Sequence, residues 1–455
     1  MRYAAMMNWN SLLSRKRLAK TTADPELPHR SAYEIDIDRI TFTTSFRRLA
    51  DKQQVHGIGG SDYVRSRLTH SMEAARVGRS LGMWVGPAIL RSVDYEVKAT
   101  PADIGHVVAA ASLAHDVGTP CFAHTGEDVI SDWFADSAIG QRIRAGLSDV
   151  EQAELCKFEA NAQGFRVLTR LQGWRGVGGL QLTAATLGAG AKYPWGVEVP
   201  NGPLKRPHKR KYGFFGCEQD VFAEVATEVG LVEKGPGAWC RHPLAYLVEA
   251  ADDACYHVVD IEDAAKMRML SFEHAEDLLL AFIRDDKPDT ATGKDWEADY
   301  KTLEDEDRKL IFLRAQAIDR LVRDAAEIFL ERLPQLMAGE FCHPLLTLSA
   351  RAPALRRIEQ VSHERIYRGQ QRCETDIIAA RTITTLLDAY GEALLDREKL
   401  GPGAKLPRRW ASLLETMPES RQLPYERAGW VRGLLDYVAG MTDRFAIRQA
   451  QLIAG

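Results

Sequence analysis

One stretch, Thr100 to Glu127, constrains this chain more than any other. Thr100 can cap a helix, Pro101 suits its first position, and Asp103 completes a Thr-x-x-Asp capping pattern. Ile104, Val107, Val108, Ala111, Ala114 and His115 then recur at helical spacing, which predicts a buried helix with His115 on its apolar face. Gly118 and Pro120 stop it just beyond. An adjacent His115-Asp116 at the inner end of a buried helix has two chemistries open to it. It can be a core histidine hydrogen-bonded to its neighbour, or part of a metal site, since neutral imidazole and carboxylate both suit divalent cations. The pair alone does not choose.

The rest of the chain reads as helices. Asn8-Trp9-Asn10 opens a short amphipathic piece, and helical patterns cover Thr43–Leu49, Arg65 to about Leu81, and Phe158–Leu168. After His242-Pro243, Leu244, Leu247, Val248, Ala251, Cys255, Val258 and Val259 mark the apolar face of a long helix. Asp252, Tyr256 and Asp260 recur on it at four-residue steps, so they form one stripe beside that face. Carboxylates on a core-facing edge are costly unless they have partners. Further patterns run over Lys309–Leu336, Thr375–Leu395 and from Trp430 to the C-terminus. No alternating strand set and no internal repeat emerges, so the expected fold class is mainly α. Residues 173–216 are Gly-rich and basic, and the insert around 180–215 has room for a short hairpin. Its run at 205–211 is either a solvated face or a phosphate- or DNA-facing loop. Residues 285–307 are acidic and turn-rich, an expected surface excursion.

Composition narrows the classes. With 455 residues, 45% hydrophobic and 27% charged, the chain has the make-up of a globular protein with a sizeable core. A net charge of -4 exerts no global pull on nucleic acid or anionic lipid, so any polyanion must meet a local cluster. The seven cysteines are scattered without a Cys-x-x-Cys pair, which points to reduced thiols in a cytoplasm and not to a disulfide framework or zinc cage. No apolar run is long enough for a membrane span or an export signal.

His70 and the later Asp252 supply the ligands that the His115-Asp116 pair lacks, and together these residues resemble the HD superfamily of metal-dependent phosphohydrolases. The resemblance goes further. Arg67-x-x-His70-Ser, the segment from His115-Asp116 through His124-x-Gly-Glu127, Phe158-Glu-x-Asn161-Ala-Gln-Gly-Phe and Gly213-Phe-Phe stand in the order found in bacterial dGTP triphosphohydrolases. So do Glu249-Ala-Ala-Asp252-Asp-x-x-Tyr256-x-x-x-Asp260-x-Glu-Asp263 and Asp436-Tyr-Val-Ala-Gly-Met-Thr-Asp443, so the likeness spans nearly the whole chain. One departure is the turn Gly118-Thr-Pro-Cys-Phe-Ala, where relatives often carry Gly-Asn-Pro-Pro-Phe-Gly; Thr119 and Cys121 should keep the turn.

The resemblance implies one large helical domain over 1–455, with an HD metal core at about 60–275 and a C-terminal helical part at about 305–455 completing the pocket. It implies a single divalent ion on His70, His115, Asp116 and Asp252, with Mn2+ or Mg2+ foremost and Fe2+ or Co2+ chemically reasonable. By the same resemblance His124 and Glu127 form the catalytic pair. Arg67, Lys192, Tyr193 and Asn161 would meet the substrate, with Lys192 and Tyr193 gripping the triphosphate. Gln54 and Asp260 would bind the sugar 3′ hydroxyl, Val55 and Tyr256 would crowd the 2′ position, and Tyr367 would pack on sugar or base. The expected reaction takes a deoxynucleoside triphosphate, dGTP first, to deoxynucleoside and inorganic triphosphate. Relatives are often homo-oligomers, hexamers among them, and some respond to single-stranded DNA or a second nucleotide. The alternatives are broader base specificity, another HD nucleotidase or phosphodiesterase, and a non-enzymatic nucleotide- or DNA-sensing module.

Overall fold

The computed structural model describes residues 6–20, 27, 29–54, 65–173, 178–199, 211–284, 296–366, 370–418 and 422–455. The central helix forms as its sequence dictates. It spans Pro101–Ala114, both halves of the Thr100/Asp103 capping box are made, and His115 is its C-cap. Every residue from Val107 to Ala114 is buried. Against it lies the helix Arg67–Arg91, capped by Ser66, which accepts from the Thr69 amide.

That helix continues ten residues beyond the expected end at Leu81 and carries Pro87 in its interior. Tertiary packing overrides the local breaker signals here. Gly78, Gly82 and Gly86 repeat at four-residue steps on the face turned to the Pro101–Ala114 helix. A Cβ on Gly82 would stand 2.7 Å from Gly105 Cα, one on Gly86 2.8 Å from Pro101 Cα, and one on Gly78 2.6 Å from Ser112 Oγ. The two backbones therefore meet directly, and the helix gains more from that contact than Pro87 removes.

The helix Ala245–Lys266 packs on both, and Glu306–Glu331 covers the outer side. These four share one apolar cluster with the N-terminal helix Trp9–Leu12. A second cluster gathers the helices Ala123–Asp136, Gln370–Leu400, Arg427–Ala439 and Asp443–Ala454. The expected helix at 309–336 is divided into Glu306–Glu331 and Leu333–Met337, and the C-terminal one breaks at Gly440 before Thr442 recaps it. Of the acidic stretch at 285–307, the described part holds the short helix Trp296–Lys301.

The one strand pair among the described residues lies outside the insert where the hairpin was expected. It joins Glu233–Gly235 to Ala238–Trp239, antiparallel, with Glu233 opposite Trp239. Gly235-Pro236-Gly237 makes the turn, with Gly237 at a φ of +67°. Within 180–199 the chain forms the helix Ala184–Gly190 and an extended piece whose Trp195 bridges to Ala238.

Candidate metal centre and catalytic pair

Three helices deliver the first cluster. His70 comes from the first turn of Arg67–Arg91, His115 and Asp116 from the end of Pro101–Ala114, and Asp252 from the Ala245–Lys266 helix. His70 Nε2 stands 3.0 Å from Asp252 Oδ1. His115 Nε2 stands 3.5 Å from Asp116 Oδ2 and 3.6 Å from Asp252 Oδ1. One ligand atom each from His70, His115 and Asp116 lies within 4.8 Å of the others, so this group could hold a metal ion, with Asp252 beside it.

The donor chemistry fits a cation. His115 Nδ1 is 2.6 Å from the Ser112 carbonyl, which can only accept, so Nδ1 carries the proton. Nε2 then faces the Asp116 and Asp252 carboxylates, which raise the ring's pKa against its burial, so this end of the imidazole lies where positive charge is wanted, whether a proton or a metal ion supplies it. His70 Nδ1 is buried with no partner among the described residues. Burial alone would raise Asp116, but the Arg67 guanidinium, followed by His115 and His70, holds its carboxyl well below the usual range. Asp252 is likewise pressed down against its burial by His115, the His70 hydrogen bond and Lys192. Both carboxylates stay ionised, the form a metal needs.

A second pair sits one turn further along. Phe122 and Ala123 both adopt left-handed backbone, φ +60° and +56°, as the chain swings into the helix Ala123–Asp136. A Cβ on Gly126 would run into the Cys121 carbonyl, so the turn closes on a glycine. His124 leaves this turn with 77% of its side chain exposed, while Glu127 is only 7% exposed. His124 Nδ1 meets Glu127 Oε2 at 2.5 Å. The other oxygen, Oε1, accepts from the Ala160 amide at 2.8 Å and lies 3.7 Å from Lys211 Nζ. Burial raises Glu127, yet the His124 hydrogen bond and the Lys211 charge prevail and lower it. The pair is an exposed imidazole steered by a buried, ionised carboxylate, the geometry of a proton-transfer group.

The remaining expected residues divide. Asn161, Lys192 and His115 line one small cavity of about 40 Å³. Lys192 Nζ is 3.4 Å from Glu249 Oε1, and Tyr193 is buried beside it. Arg67 donates from Nη1 to Asp116 Oδ2 at 2.7 Å, so it braces the metal cluster directly. Asp260 is engaged by Arg65 at 2.5 Å, and Arg65 also binds Asp263 and Glu73. Tyr256 follows Asp252 by one turn, on the same stripe as Asp260. Gln54 has a buried Oε1 with no partner among the described residues. Val55, Tyr367 and residues 205–210 of the basic run lie outside the described residues. Lys211, the last of that run, turns inward onto Glu159 and Glu127. A large cleft of about 1320 Å³ is lined by Arg48, Arg166, Arg170, Glu154, Arg432 and Asp436 with others, and by none of the expected site residues.

Sequence reasoning missed several supports. Arg241 donates to the Lys192 carbonyl and to Glu249 and stacks over Tyr193, which fixes the Lys192-Tyr193 corner. Asp443 accepts from the Phe122 amide at 2.8 Å and the Gln53 amide at 3.0 Å. Glu159 and Lys211 hold each other at 2.9 Å. Arg241 and Glu159, charges beside apolar neighbours, carried a signal, since such a group must be partnered when buried; Lys211 ends a basic run and carried none.

A mainly helical chain with a His-Asp turn facing a carboxylate from a third helix has the architecture of an HD-type phosphohydrolase fold. The model of the phosphohydrolase-associated domain matches residues 349–452. The chain is 38% identical over 455 residues to the deoxyguanosinetriphosphate triphosphohydrolase-like protein of Pseudomonas aeruginosa, covering 99% of both. It is 39% identical over 463 residues to a protein of the same name from Synechocystis sp., again covering 99% of both. Against the deoxyguanosinetriphosphate triphosphohydrolase of Salmonella typhimurium it is 29% identical over 478 residues, covering 91% of this chain and 92% of the relative. The chain belongs to the deoxyguanosinetriphosphate triphosphohydrolase-like family.

Proposed function

We propose that this protein hydrolyses deoxynucleoside triphosphates, dGTP foremost, to the deoxynucleoside and inorganic triphosphate. The observation that carries this reading is a cation-seeking cluster with the steered imidazole of His124 a few residues along the chain. His70, His115, Asp116 and Asp252 would hold one divalent ion, Mn2+ or Mg2+ first and Fe2+ or Co2+ also suited to the donor set. Such an ion supplies charge neutralisation and an acidified water. The protein's own groups do the rest. His124 moves the proton at Nε2 while Glu127 holds its Nδ1–H. Lys192 and Tyr193 receive the triphosphate and Asn161 contributes an amide, with Arg67 keeping Asp116 in place within reach of phosphate oxygens. Gln54 and Asp260 select the 3′ hydroxyl, and Val55 and Tyr256 exclude a ribose 2′ hydroxyl by bulk. Tyr367 lies against the sugar or base. The chain works as one domain in which residues 305–455 close the pocket, in a homo-oligomer, with hexamers favoured, in the cytoplasm. Single-stranded DNA or a second nucleotide is its candidate effector. No helix among the described residues is long and apolar enough to cross a membrane.

The test is turnover of each of the four dNTPs and of GTP across the four metals, with His115→Ala and Asp252→Ala beside the wild type. The proposal expects metal and activity to disappear together in both variants. Full metal occupancy with normal turnover in either one removes that residue from the ligand set. Equal kcat/KM for dGTP and GTP refutes the steric account of sugar choice.

A further inference from the structure

The helix Ala160–Arg166 begins on a residue poorly suited to the place. Its N-cap is Glu159, whose side chain accepts from the Asn161 amide. Serine, threonine, aspartate and asparagine do this better because they are shorter. Glu159 is also among the most buried carboxylates in the chain, 1% exposed. A longer acid in a buried cap needs another reason, and the surrounding distances supply one.

Its Oε1 accepts from Asn161 twice, from the amide N at 3.1 Å and from Nδ2 at 2.6 Å. The opposite oxygen, Oε2, meets Lys211 Nζ at 2.9 Å. Lys211 is fixed in turn, because the Trp195 indole donates to its carbonyl at 2.9 Å. The same ammonium reaches Glu127 Oε1 at 3.7 Å, and the residue after Glu159 gives its amide to that oxygen. The far end is His124 on Glu127 Oε2. One chain of contacts thus runs Asn161, Glu159, Lys211, Glu127, His124. Two buried carboxylates share one ammonium, and that sharing keeps either acid from facing the other uncompensated.

We propose that Glu159 is a positioning residue for the reaction: its carboxylate holds the Asn161 amide on one oxygen and the Lys211 ammonium on the other, and through Lys211 it fixes Glu127 against His124. This rests on the functional reading above. With one Nδ2–H given to Glu159, Asn161 keeps the second for substrate. With Lys211 drawn to Glu159, Glu127 keeps Oε2 wholly for His124. Remove the Glu159 charge and Lys211 has Glu127 as its one remaining anion in this group, where it competes with His124.

The experiment compares Glu159→Gln, Glu159→Ala, Glu127→Gln and the Glu159→Gln/Glu127→Gln double variant of the full chain, with metal content and thermal midpoint measured for each. Glutamine still accepts from Asn161 but releases Lys211, so Glu159→Gln is expected to lower kcat about tenfold or more with KM and metal content unchanged. Alanine also frees Asn161, so Glu159→Ala should raise KM as well. In the Glu127→Gln background Glu159→Gln should add no further loss, because the two act as one unit. A Glu159→Gln enzyme within twofold of wild type overturns the proposal, and so does a full second loss in the double variant. Should Glu159→Gln fold poorly, Glu159→Asp takes its place under the same criteria, because the shorter acid still caps Asn161 but does not reach Lys211. If the wild type itself releases no triphosphate from any dNTP, the functional reading fails on its own. The positioning claim is then judged by a crystal structure of Glu159→Gln, where an intact Glu127–His124 contact refutes it and a broken one upholds it.

Discussion

Ala123 and His242 show how much single residues set, and both make testable claims. Ala123 holds a φ of +56° immediately before His124, in the left-handed region that favours glycine. A side chain there costs roughly 1 kcal/mol, so Ala123→Gly should stabilise the protein by up to about 1 kcal/mol in denaturant melts. A loss of stability would mean that the methyl group's packing outweighs the strain. His242 is buried with both nitrogens used: Nε2 donates to the Leu12 carbonyl at 2.9 Å and Nδ1 accepts from the Leu244 amide at 3.1 Å. The ring therefore folds neutral, and burial pushes its pKa down to about 4. The unfolded histidine takes its proton near pH 6.5, so between pH 6.5 and 4 the unfolded chain binds more protons. Stability should fall by about 3 kcal/mol as pH drops through that window, and His242→Gln should flatten the slope. An unchanged slope in the variant assigns the acid lability elsewhere. His242 was legible only as a helix opener next to Pro243, because its partner Leu12 lies 230 residues away in sequence.

Among elements, the Gly78, Gly82 and Gly86 stripe determines how closely His70 approaches His115, since it sets the contact between their two helices. Gly82→Leu would push a side chain into the Gly105 backbone. The expected outcome is a loss of about 2 kcal/mol or more together with weakened metal retention, read by thermal melts and metal analysis. Wild-type metal content in that variant would show that the helix contact does not fix the cluster. The Pro101–Ala114 helix was readable in full because cap, period and stop all lie within twenty residues. The length of Arg67–Arg91 was not, since glycines and Pro87 look like breakers until a partner helix is placed against them. The hairpin was sought in the Gly-rich insert, although Gly235-Pro236-Gly237 carried the sharper turn signal. At the candidate site His70, His115, Asp116, His124 and Glu127 stood out through local motifs, and the fold brings the first three together and pairs the last two. The salt-bridge partners around them did not, because Lys211 meets Glu159 and Glu127, and Lys192 gains Arg241 beside its Glu249, only after folding.

At the scale of the whole molecule, the C-terminal helices reach back to the turn before His124. Asp443 accepts the Phe122 and Gln53 amides, while Lys52 donates to the Thr119 carbonyl at 2.5 Å and the Ala439 carbonyl at 2.9 Å. The turn before His124 is therefore clamped by residues more than 300 positions away, inside the stretch matched by the phosphohydrolase-associated domain. Asp443→Ala would leave the buried Phe122 amide and the partly buried Gln53 amide without acceptors, at a cost of about 1–3 kcal/mol for the buried one and less for the other. It should lower kcat while sparing the metal, whose ligands sit on other elements; a variant with normal kcat would show that the turn holds without its clamp. Phosphorus NMR of dGTP turned over by the metal-loaded wild type is predicted to show intact inorganic triphosphate, with deoxyguanosine as the other product. Pyrophosphate with dGMP, or orthophosphate with dGDP, would contradict it.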